Sequence, residues 1–396
     1  MRAYHVPVWL GNLSRSRATP FITLYTILIF CRGILATVVP LSAIETLGDA
    51  QSVSLLYFGA SLVGLSGSLA APTLIHHLHR RWVFSLGGSC LVTAPLLFML
   101  PGEFALILGL SFFFLSAPWI EVNFNLYLMD HLEASDLNRF EPMRMFFSGL
   151  SWTLGPWLGV YLRDSIAPWL PFAIASVTAL GLLIYFWYLR LSDDPALQAL
   201  RVAPPSVARN LAHYFAQPAL RRAWILSVGR SSFWLMFFVY APIYVVSVGL
   251  SDVIAGAIVS LGSSALFLVP LWGWIGRRHG FRLVLVSGYS LAGFTLLSLI
   301  AASGSAWLGV TLLLVAAFAM GIVDGAGNLP FLRSVEASER REMTAVFSTY
   351  RDMGQLVPPG AFAMILNFFA LPAIFLTMGG VLCGMALYCR RLSRTL

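Results

Sequence analysis

Twelve apolar stretches, separated by shorter polar segments, run along the sequence. A helix needs about 20 mostly apolar residues to cross the hydrocarbon core of a bilayer. Six stretches lie on each side of a longer polar segment, 190–222. Their bounds are roughly 20–45, 52–75, 82–101, 104–129, 144–162, 168–189, 223–248, 253–275, 283–303, 306–332, 343–366 and 371–389. The pattern predicts an all-α membrane protein of twelve transmembrane helices, with six in 1–189 and six in 223–396.

The composition supports a membrane location. Charged residues make up 11% of the 396 residues and hydrophobic residues 58%, with a mean hydropathy of +0.81. An ordinary soluble domain has roughly 25% charged residues, so this chain is expected to lie in lipid. The pI near 9.6 does not indicate a nucleic-acid partner, because the arginines lie in short segments between apolar stretches. The four cysteines have no metal-type spacing, and we interpret them as small buried apolar residues.

The distribution of arginine predicts the orientation in the membrane. An even number of spans puts both chain ends on one side, and the segments of that side hold 21 arginines. The opposite segments hold Arg163 alone. Cytoplasmic loops carry the excess of basic residues. We therefore expect a monomer in the cytoplasmic (inner) membrane of a bacterium, with both termini and 190–222 in the cytoplasm. The first apolar stretch is too long for a signal-peptide core and is predicted to be a retained span.

The two halves repeat each other. Arg32 matches Arg230 at an offset of 198 residues, and Glu121 matches Asp324 at an offset of 203. Further matches in these registers are Gly64 with Gly262, Pro72 with Pro270, Arg80 with Arg278, Asn125 with Asn328, and Glu133-Ala134-Ser135 with Glu336-Ala337-Ser338. Such self-similarity indicates two copies of one unit, joined here by 190–222. Within that linker, 206–224 is predicted to form an amphipathic helix lying along the membrane.

Two parallel six-span halves with a cytoplasmic linker resemble the major facilitator superfamily of secondary transporters. That family carries a signature of glycines and basic residues in the loop after its second span. Its counterparts in the second half are Gly273, Arg277, Arg278, Gly280 and Arg282. An arginine, Arg277, stands where the family has an aspartate, and the first half keeps only Pro72 and a basic cluster with Arg80 and Arg81. The resemblance implies that these residues belong to gating loops.

A second resemblance lies in the fifth span. Proton-coupled antiporters of the family have a Gly-Pro pair followed by paired glycines, and this chain has Gly155, Pro156 and Gly159, with Val160 in place of the last glycine. The family's arginine motif in the fourth span is absent, so the resemblance assigns no subfamily.

Six charged residues are predicted near the middle of the bilayer. At a rise of 1.5 Å per residue, five of them lie about 12–18 Å from the cytoplasmic ends of their spans, in a hydrocarbon core about 30 Å thick. They are Arg32, Glu121, Arg230, Asp324 and Arg351, with Asp352 beside the last. Unpaired charges at this depth are costly, so they are expected to face a cavity and to pair. The repeat predicts the pairs Arg32–Glu121 and Arg230–Asp324, one in each half.

Other polar residues accompany these charges. Asn125 and Asn328 stand four residues after their acids, on the same helix face, and are predicted to offer hydrogen bonds to a ligand. Arg351 and Asp352 have no counterpart in the first half, and Asp352 is a candidate proton carrier. An alternative interpretation is that the pairs only hold helices together and that the substrate binds elsewhere.

The remaining motifs favour no chemistry beyond transport. All seven histidines lie in predicted cytoplasmic segments, so a carboxylate must carry any transported proton. The glycine-rich stretch 324–328 lies within a span, where it predicts close helix packing or local unwinding. We find no phosphate-binding loop, dinucleotide fingerprint or nucleophile elbow, and so expect neither an enzyme nor a bound cofactor or metal.

The sequence therefore predicts a secondary active transporter of a small polar or amphipathic molecule, with the arginines favouring an anionic one. Alternating access, proton coupling and export are the favoured mode of action. The alternative is a transporter-like sensor or assembly scaffold that moves nothing, although such a protein does not need a balanced set of midplane charges.

Overall fold

A computed structural model describes residues 18–132, 134–189, 207–336 and 339–390, and within these ranges the chain forms helices and turns without a strand. The first six helices are α1 (Thr19–Leu47), α2 (Ala50–Leu78), α3 (Arg80–Phe98), α4 (Glu103–His131), α5 (Ala134–Ser165) and α6 (Leu170–Tyr188). The all-helical fold predicted from the apolar stretches is confirmed.

The second part of the chain forms shorter pieces as well as long helices. They are α7 (Val207–Ala216), α8 (Pro218–Ser247), α9 (Asp252–Ser263), α10 (Val269–His279), α11 (Phe281–Leu297), α12 (Ala306–Asp324), α13 (Leu329–Ser334), α14 (Arg340–Ser348), α15 (Tyr350–Leu366) and α16 (Pro372–Cys389). A 3-10 turn joins α9 to α10 and another extends α11.

Ten of the described helical segments are long and apolar enough to cross a membrane. They coincide with ten of the twelve predicted spans. The other two, 144–162 and 343–366, coincide with α5 and with α14 and α15. Helix α5 begins with a polar, charged stretch, and the second of these spans is divided at Thr349, which explains why neither matches a simple apolar helix.

Internal contacts divide the chain into two compact units. Unit 1 takes in the chain up to Val38 together with Leu62–Gln198, and unit 2 takes in Val39–Ser61 together with Ala199–Leu396. The predicted boundaries of the halves and the linker stay predictions. Both chain ends and the linker portion 190–206 lie outside the described residues.

The predicted linker helix is shorter than expected. Helix α7 ends at Ala216, Gln217 is extended (φ −85°, ψ 112°), and α8 begins at Pro218. A residue that precedes proline is driven out of the helical conformation, so one helix over 206–224 is wrong. Tyr214 of α7 is fully buried, because α7 packs against α8 and α14 and does not only face the membrane.

Glycines allow α5 to pack closely on α1 in unit 1. A Cβ added at Gly155 would lie 2.5 Å from the carbonyl carbon of Gly33, and one at Gly159 would lie 2.1 Å from the carbonyl oxygen of Ile34. A Cβ at Gly33 would lie 2.6 Å from the carbonyl oxygen of Ser151. Side chains at these positions would push the helices apart. The glycines therefore keep α1 close to α5, and this sets the position of Arg32, next to Gly33.

The same crossing occurs in unit 2 with the residue types exchanged. Ser231 and Gly354 are the repeat partners of Gly33 and Ser151, and a Cβ at Gly354 would lie 2.4 Å from that of Ser231. The predicted registers of 198 and 203 residues therefore hold for these helices.

The predicted register of the second span differs from the structure. The turns that bound it have positive φ at Gly48 (82°) and His79 (64°) in the first copy, and at Gly249 (85°) and Gly280 (94°) in the second. These turns are 201 residues apart, so the predicted match of Arg80 with Arg278 is wrong. A shift of three residues is nearly one helical turn and leaves similar residues on the same face, which explains why the sequence suggested it.

Candidate functional site

Unit 1 brings the first predicted pair together. Nη1 of Arg32, on α1, donates to Oε1 of Glu121, on α4, at 3.4 Å. The guanidinium carbon lies 5.2 Å from the centroid of the Phe113 ring. The side chain of Arg32 is 15% exposed and that of Glu121 is 38% exposed, so the acid has the more open surroundings. The pair leaves no net charge at this position.

Unit 2 brings the second predicted pair together with a different geometry. Nε of Arg230, on α8, lies 3.6 Å from Oδ1 of Asp324, at the end of α12, and the two side chains are 12% and 14% exposed. Nε1 of Trp234 donates to the other oxygen, Oδ2, at 2.9 Å. A distance of 3.6 Å is an ion-pair contact beyond ordinary hydrogen-bond length. The short hydrogen bond of Asp324 is therefore the one from the indole.

Arg230 directs its hydrogen bonds to neutral acceptors. Its Nη2 donates to Oδ1 of Asn328 at 3.1 Å and to the hydroxyl of Tyr350 at 3.5 Å. Asn328 is thus next to its predicted charge pair. Asn125, its repeat partner in unit 1, is exposed on α4.

Arg351 shares Tyr350 with Arg230. Its Nε donates to the same hydroxyl at 3.3 Å, and both guanidinium carbons lie 5.8 Å from the centroid of the tyrosine ring. The ring itself is buried, whereas Arg351 is exposed at the start of α15. Asp352, the next residue, is half-buried. Two positive groups therefore converge on one neutral oxygen.

A break in the helix shapes the site of unit 2. Helix α12 ends at Asp324, the chain turns through 325–328 with Gly327 at φ 51°, and α13 begins at Leu329. Helix α4, which carries Glu121 in unit 1, runs without interruption from Glu103 to His131. The structure thus has the local unwinding that the glycine-rich stretch predicts, and it brings Asn328 to Arg230.

Trp234 is a site residue that the sequence analysis missed. The sequence gives it no evident role, because most aromatic residues in membrane spans pack against other helices or face lipid. One signal was available: Trp234 follows Arg230 by four residues, so both lie on the same face of α8.

The predicted gating residues of the first half do not form one exposed cluster. Arg80 begins α3, is buried, and pairs through Nη1 with Oδ2 of Asp130, near the end of α4. Arg81 is exposed, with its guanidinium 6.0 Å from the ring of Trp82. Asp130 was not predicted as a partner, because its position near the end of a span resembles that of a solvated loop acid.

The second half has a different arrangement at its predicted gating loop. Gly280 supplies the positive φ that turns α10 into α11. A Cβ at Gly273 would lie 3.4 Å from the carbonyl oxygen of Gly325 and 3.6 Å from Nη1 of Arg277, so this glycine faces the helix break. Arg277 and Arg278 are exposed and Arg282 is half-buried. The guanidinium of Arg278 lies 5.6 Å from the ring of Trp274.

The fifth-span residues Gly155, Pro156 and Gly159 are all buried. The two glycines face α1, as described above. Their nearest neighbours are Gly33, Ile34 and Val38, none of which is charged. In the described chain, no group of three or more histidine, cysteine, aspartate or glutamate residues could hold a metal ion.

Comparisons with known proteins identify the family. The sequence model of the Major Facilitator Superfamily matches residues 21–359, so the chain belongs to that superfamily. No curated protein matches it. Among solved structures, nucleoside transporter NupG is similar with a TM-score of 0.73 and 14% identity, over 95% of this chain and 100% of NupG.

Two other solved structures share the fold. A POT family transporter in complex with 5-aminolevulinic acid has a TM-score of 0.73 and 12% identity, over 94% of each chain. Peptide transporter POT in complex with sulfate has a TM-score of 0.72 and 14% identity, over 94% of this chain and 93% of that one. The chain is therefore an integral membrane protein with the fold of this transporter superfamily.

Proposed function

We propose that this protein is a proton-coupled secondary active transporter of a small polar or amphipathic molecule with an anionic group, working by alternating access. The observation that supports this best is the convergence of Arg230 and Arg351 on Tyr350, beside the carboxylate of Asp324. The similar solved structures are transporters, and one of them is described with bound sulfate.

The charges of unit 2 favour an anionic substrate. A carboxylate or phosphate accepts stronger, bidentate hydrogen bonds from a guanidinium than a phenol or an amide does. Tyr350 and Asn328 are neutral, so an anion can displace them from Arg230 without leaving another charge unpaired. The substrate thus replaces weak internal acceptors with a strong one.

Asp324 is the carboxylate that we assign to proton coupling, with Asp352 as the second candidate. Its two oxygens have separate partners, Arg230 and Trp234. When Arg230 turns towards an anion, Trp234 still holds the carboxyl group in place. A carboxylate that loses its guanidinium in apolar surroundings favours the protonated form, so a proton and Arg230 are alternative partners of Asp324.

Export is the favoured direction, because Gly155, Pro156 and Gly159 resemble the fifth-span signature of proton-coupled antiporters. The proposal extends to the predicted inner membrane and to the cytoplasmic placement of 190–222.

Transport in proteoliposomes tests the proposal. Vesicles with an entrapped pH-sensitive dye are exposed to a panel of carboxylates and organic phosphates, and the active compound is then followed by isotope exchange. Asp324→Asn is expected to abolish transport driven by the pH gradient and to retain exchange, because exchange needs no net proton movement.

Glu121→Gln is the matched control, since it removes the equivalent acid of unit 1. We expect it to weaken substrate binding or folding and to leave the coupling of the remaining activity to protons intact. Full gradient-driven transport by both Asp324→Asn and Asp352→Asn would contradict the coupling assignment. If no compound in the panel moves protons or exchanges, that result contradicts the proposed transport of small anions and favours the sensor or scaffold alternative.

A further inference from the structure

Within unit 2, helix α7 contacts the start of α14 through polar side chains. Nε2 of His213 lies 3.0 Å from Oε1 of Glu339, just before α14. The other oxygen of Glu339 accepts from Nε2 of Gln217 at 3.3 Å. The carboxylate therefore joins the end of α7 to α14 through both of its oxygens.

A continuous row of aromatic rings begins at Tyr214, on the buried face of α7. The ring centroid of Tyr214 lies 6.5 Å from that of Phe331, and Phe331 stacks on Phe347 at 4.2 Å with an interplanar angle of 4°. Phe347 in turn lies 5.0 Å from Tyr350. We name these four residues the aromatic column. It connects α7, through α13 and α14, to the tyrosine on which both site arginines converge.

The aromatic column is tightly packed along its length. Its four members are all buried, between 0% and 7% exposed, in a cluster with Leu220 and Met343. The hydroxyl of Tyr214 donates to the carbonyl oxygen of Leu220 at 3.0 Å. Because close-packed side chains transmit small displacements, a movement of α7 shifts rings that contact Tyr350.

We propose that α7 is a positioning element for the substrate site of unit 2: its docking through His213 and Glu339 holds the aromatic column, which places Tyr350 and with it Arg230 and Arg351. The inference rests on the proposed function in one respect, because it takes the two arginines to be a substrate site. No such role followed from the sequence, which suggested a helix lying on the membrane surface.

Three side chains make this docking contact. Nε2 of Gln217 lies 3.1 Å from Nε2 of His213, and both groups contact the carboxylate of Glu339. Hydrogen bonds from His213 and Gln217 lower the pKa of the Glu339 carboxyl, so Glu339 stays ionised at neutral pH and keeps both contacts.

Other charged side chains lie at this end of unit 2. Glu342 is exposed on α14. Arg221 and Arg222 lie near the start of α8, where Nε of Arg222 donates to the carbonyl oxygen of Pro218. Glu342 carries the same charge as Glu339 and is three residues away, so Glu342→Gln is a matched control for Glu339→Gln.

Two measurements on the full chain in nanodiscs test the inference without using transport. The first is the rate at which a water-soluble maleimide labels Leu211→Cys, a half-buried position of α7 that packs against the cluster, after the four native cysteines are replaced. The second is the modification of Arg351 by phenylglyoxal, measured by peptide mass spectrometry relative to exposed Arg278.

We expect Glu339→Gln to make labelling of Leu211→Cys about two- to fivefold faster, the range set by a weak exposed contact. Glu339→Gln should also raise Arg351 modification, whereas Glu342→Gln should change neither. Phe331→Leu should raise Arg351 modification while α7 stays docked, because it interrupts the aromatic column and keeps the contact of His213 with Glu339.

Two results would overturn the inference. Labelling that stays unchanged in Glu339→Gln means that the contact of Glu339 with His213 and Gln217 does not control docking. Arg351 modification that stays constant while labelling rises means that α7 does not position the site. A transport assay that fails leaves both measurements interpretable, so failure of the proposed function is distinguishable from failure of this inference.

Discussion

Arg32 and Arg230 occupy equivalent helices, yet the groups around them differ. Arg32 has the carboxylate of Glu121 and the ring of Phe113, whereas Arg230 has a carboxylate, an amide and a phenol within reach. A guanidinium with several acceptors can change partners at low cost, and one with a single acid cannot. At the residue scale, we therefore propose a fixed pair in unit 1 and an exchangeable pair in unit 2.

The fixed pair of unit 1 makes a testable prediction. Removing one partner leaves a charge uncompensated within the membrane, so Arg32→Gln and Glu121→Gln should each lower the free energy of unfolding by about 1–3 kcal/mol. The double variant should recover at least half of that loss. Thermal unfolding in detergent measures the cycle, with Glu103→Gln on the exposed first turn of α4 as control. Strictly additive effects would contradict a shared interaction.

The two charge pairs could be predicted because apolar spans make every buried charge conspicuous and the repeat shows which charges correspond. The role of Trp234 and the partners of Tyr350 could not be predicted in the same way. Aromatic side chains are common in membrane helices, and only the fold shows which of them turn a polar atom towards Asp324 or Arg230.

At the scale of elements, long helices followed directly from hydrophobic length, and most bounds agree within a few residues. The exceptions have local causes. Pro218 ends the predicted linker helix early, and α14 and α15 are separated at Thr349. The break at 325–328 was predicted as one of two outcomes of its glycines, since glycine permits both close packing and positive φ. Tertiary contacts decide between such outcomes, and they are not visible in one sequence.

Close packing of α1 on α5 leads to a second prediction. Gly159→Ala should destabilise the protein by about 1–3 kcal/mol, because the new Cβ would meet the backbone oxygen of Ile34. Gly181→Ala, on α6, is the control: nothing lies within 4 Å of its Cβ position, and alanine favours a helix. The two variants should therefore change the free energy of unfolding in opposite directions, which thermal unfolding measures. Equal stability of the two would show that the crossing of α1 and α5 can relax.

At the scale of the whole molecule, arginine asymmetry predicts the orientation, and labelling of single cysteines checks it. In intact cells, an impermeant maleimide is expected to label Asp164→Cys, next to Arg163, and to label Ala203→Cys in the linker only after lysis. Native cysteines are replaced first; Cys31 and Cys389 are buried in any case. The reverse pattern would rule out the predicted orientation and the count of six spans before the linker.

The helix break of unit 2 also bears on the history of the gene. The predicted repeat implies that both copies began with one sequence, so the difference between continuous α4 and broken α12–α13 arose after duplication. Two copies joined in one chain can diverge separately, whereas a subunit paired with itself must keep one sequence for both.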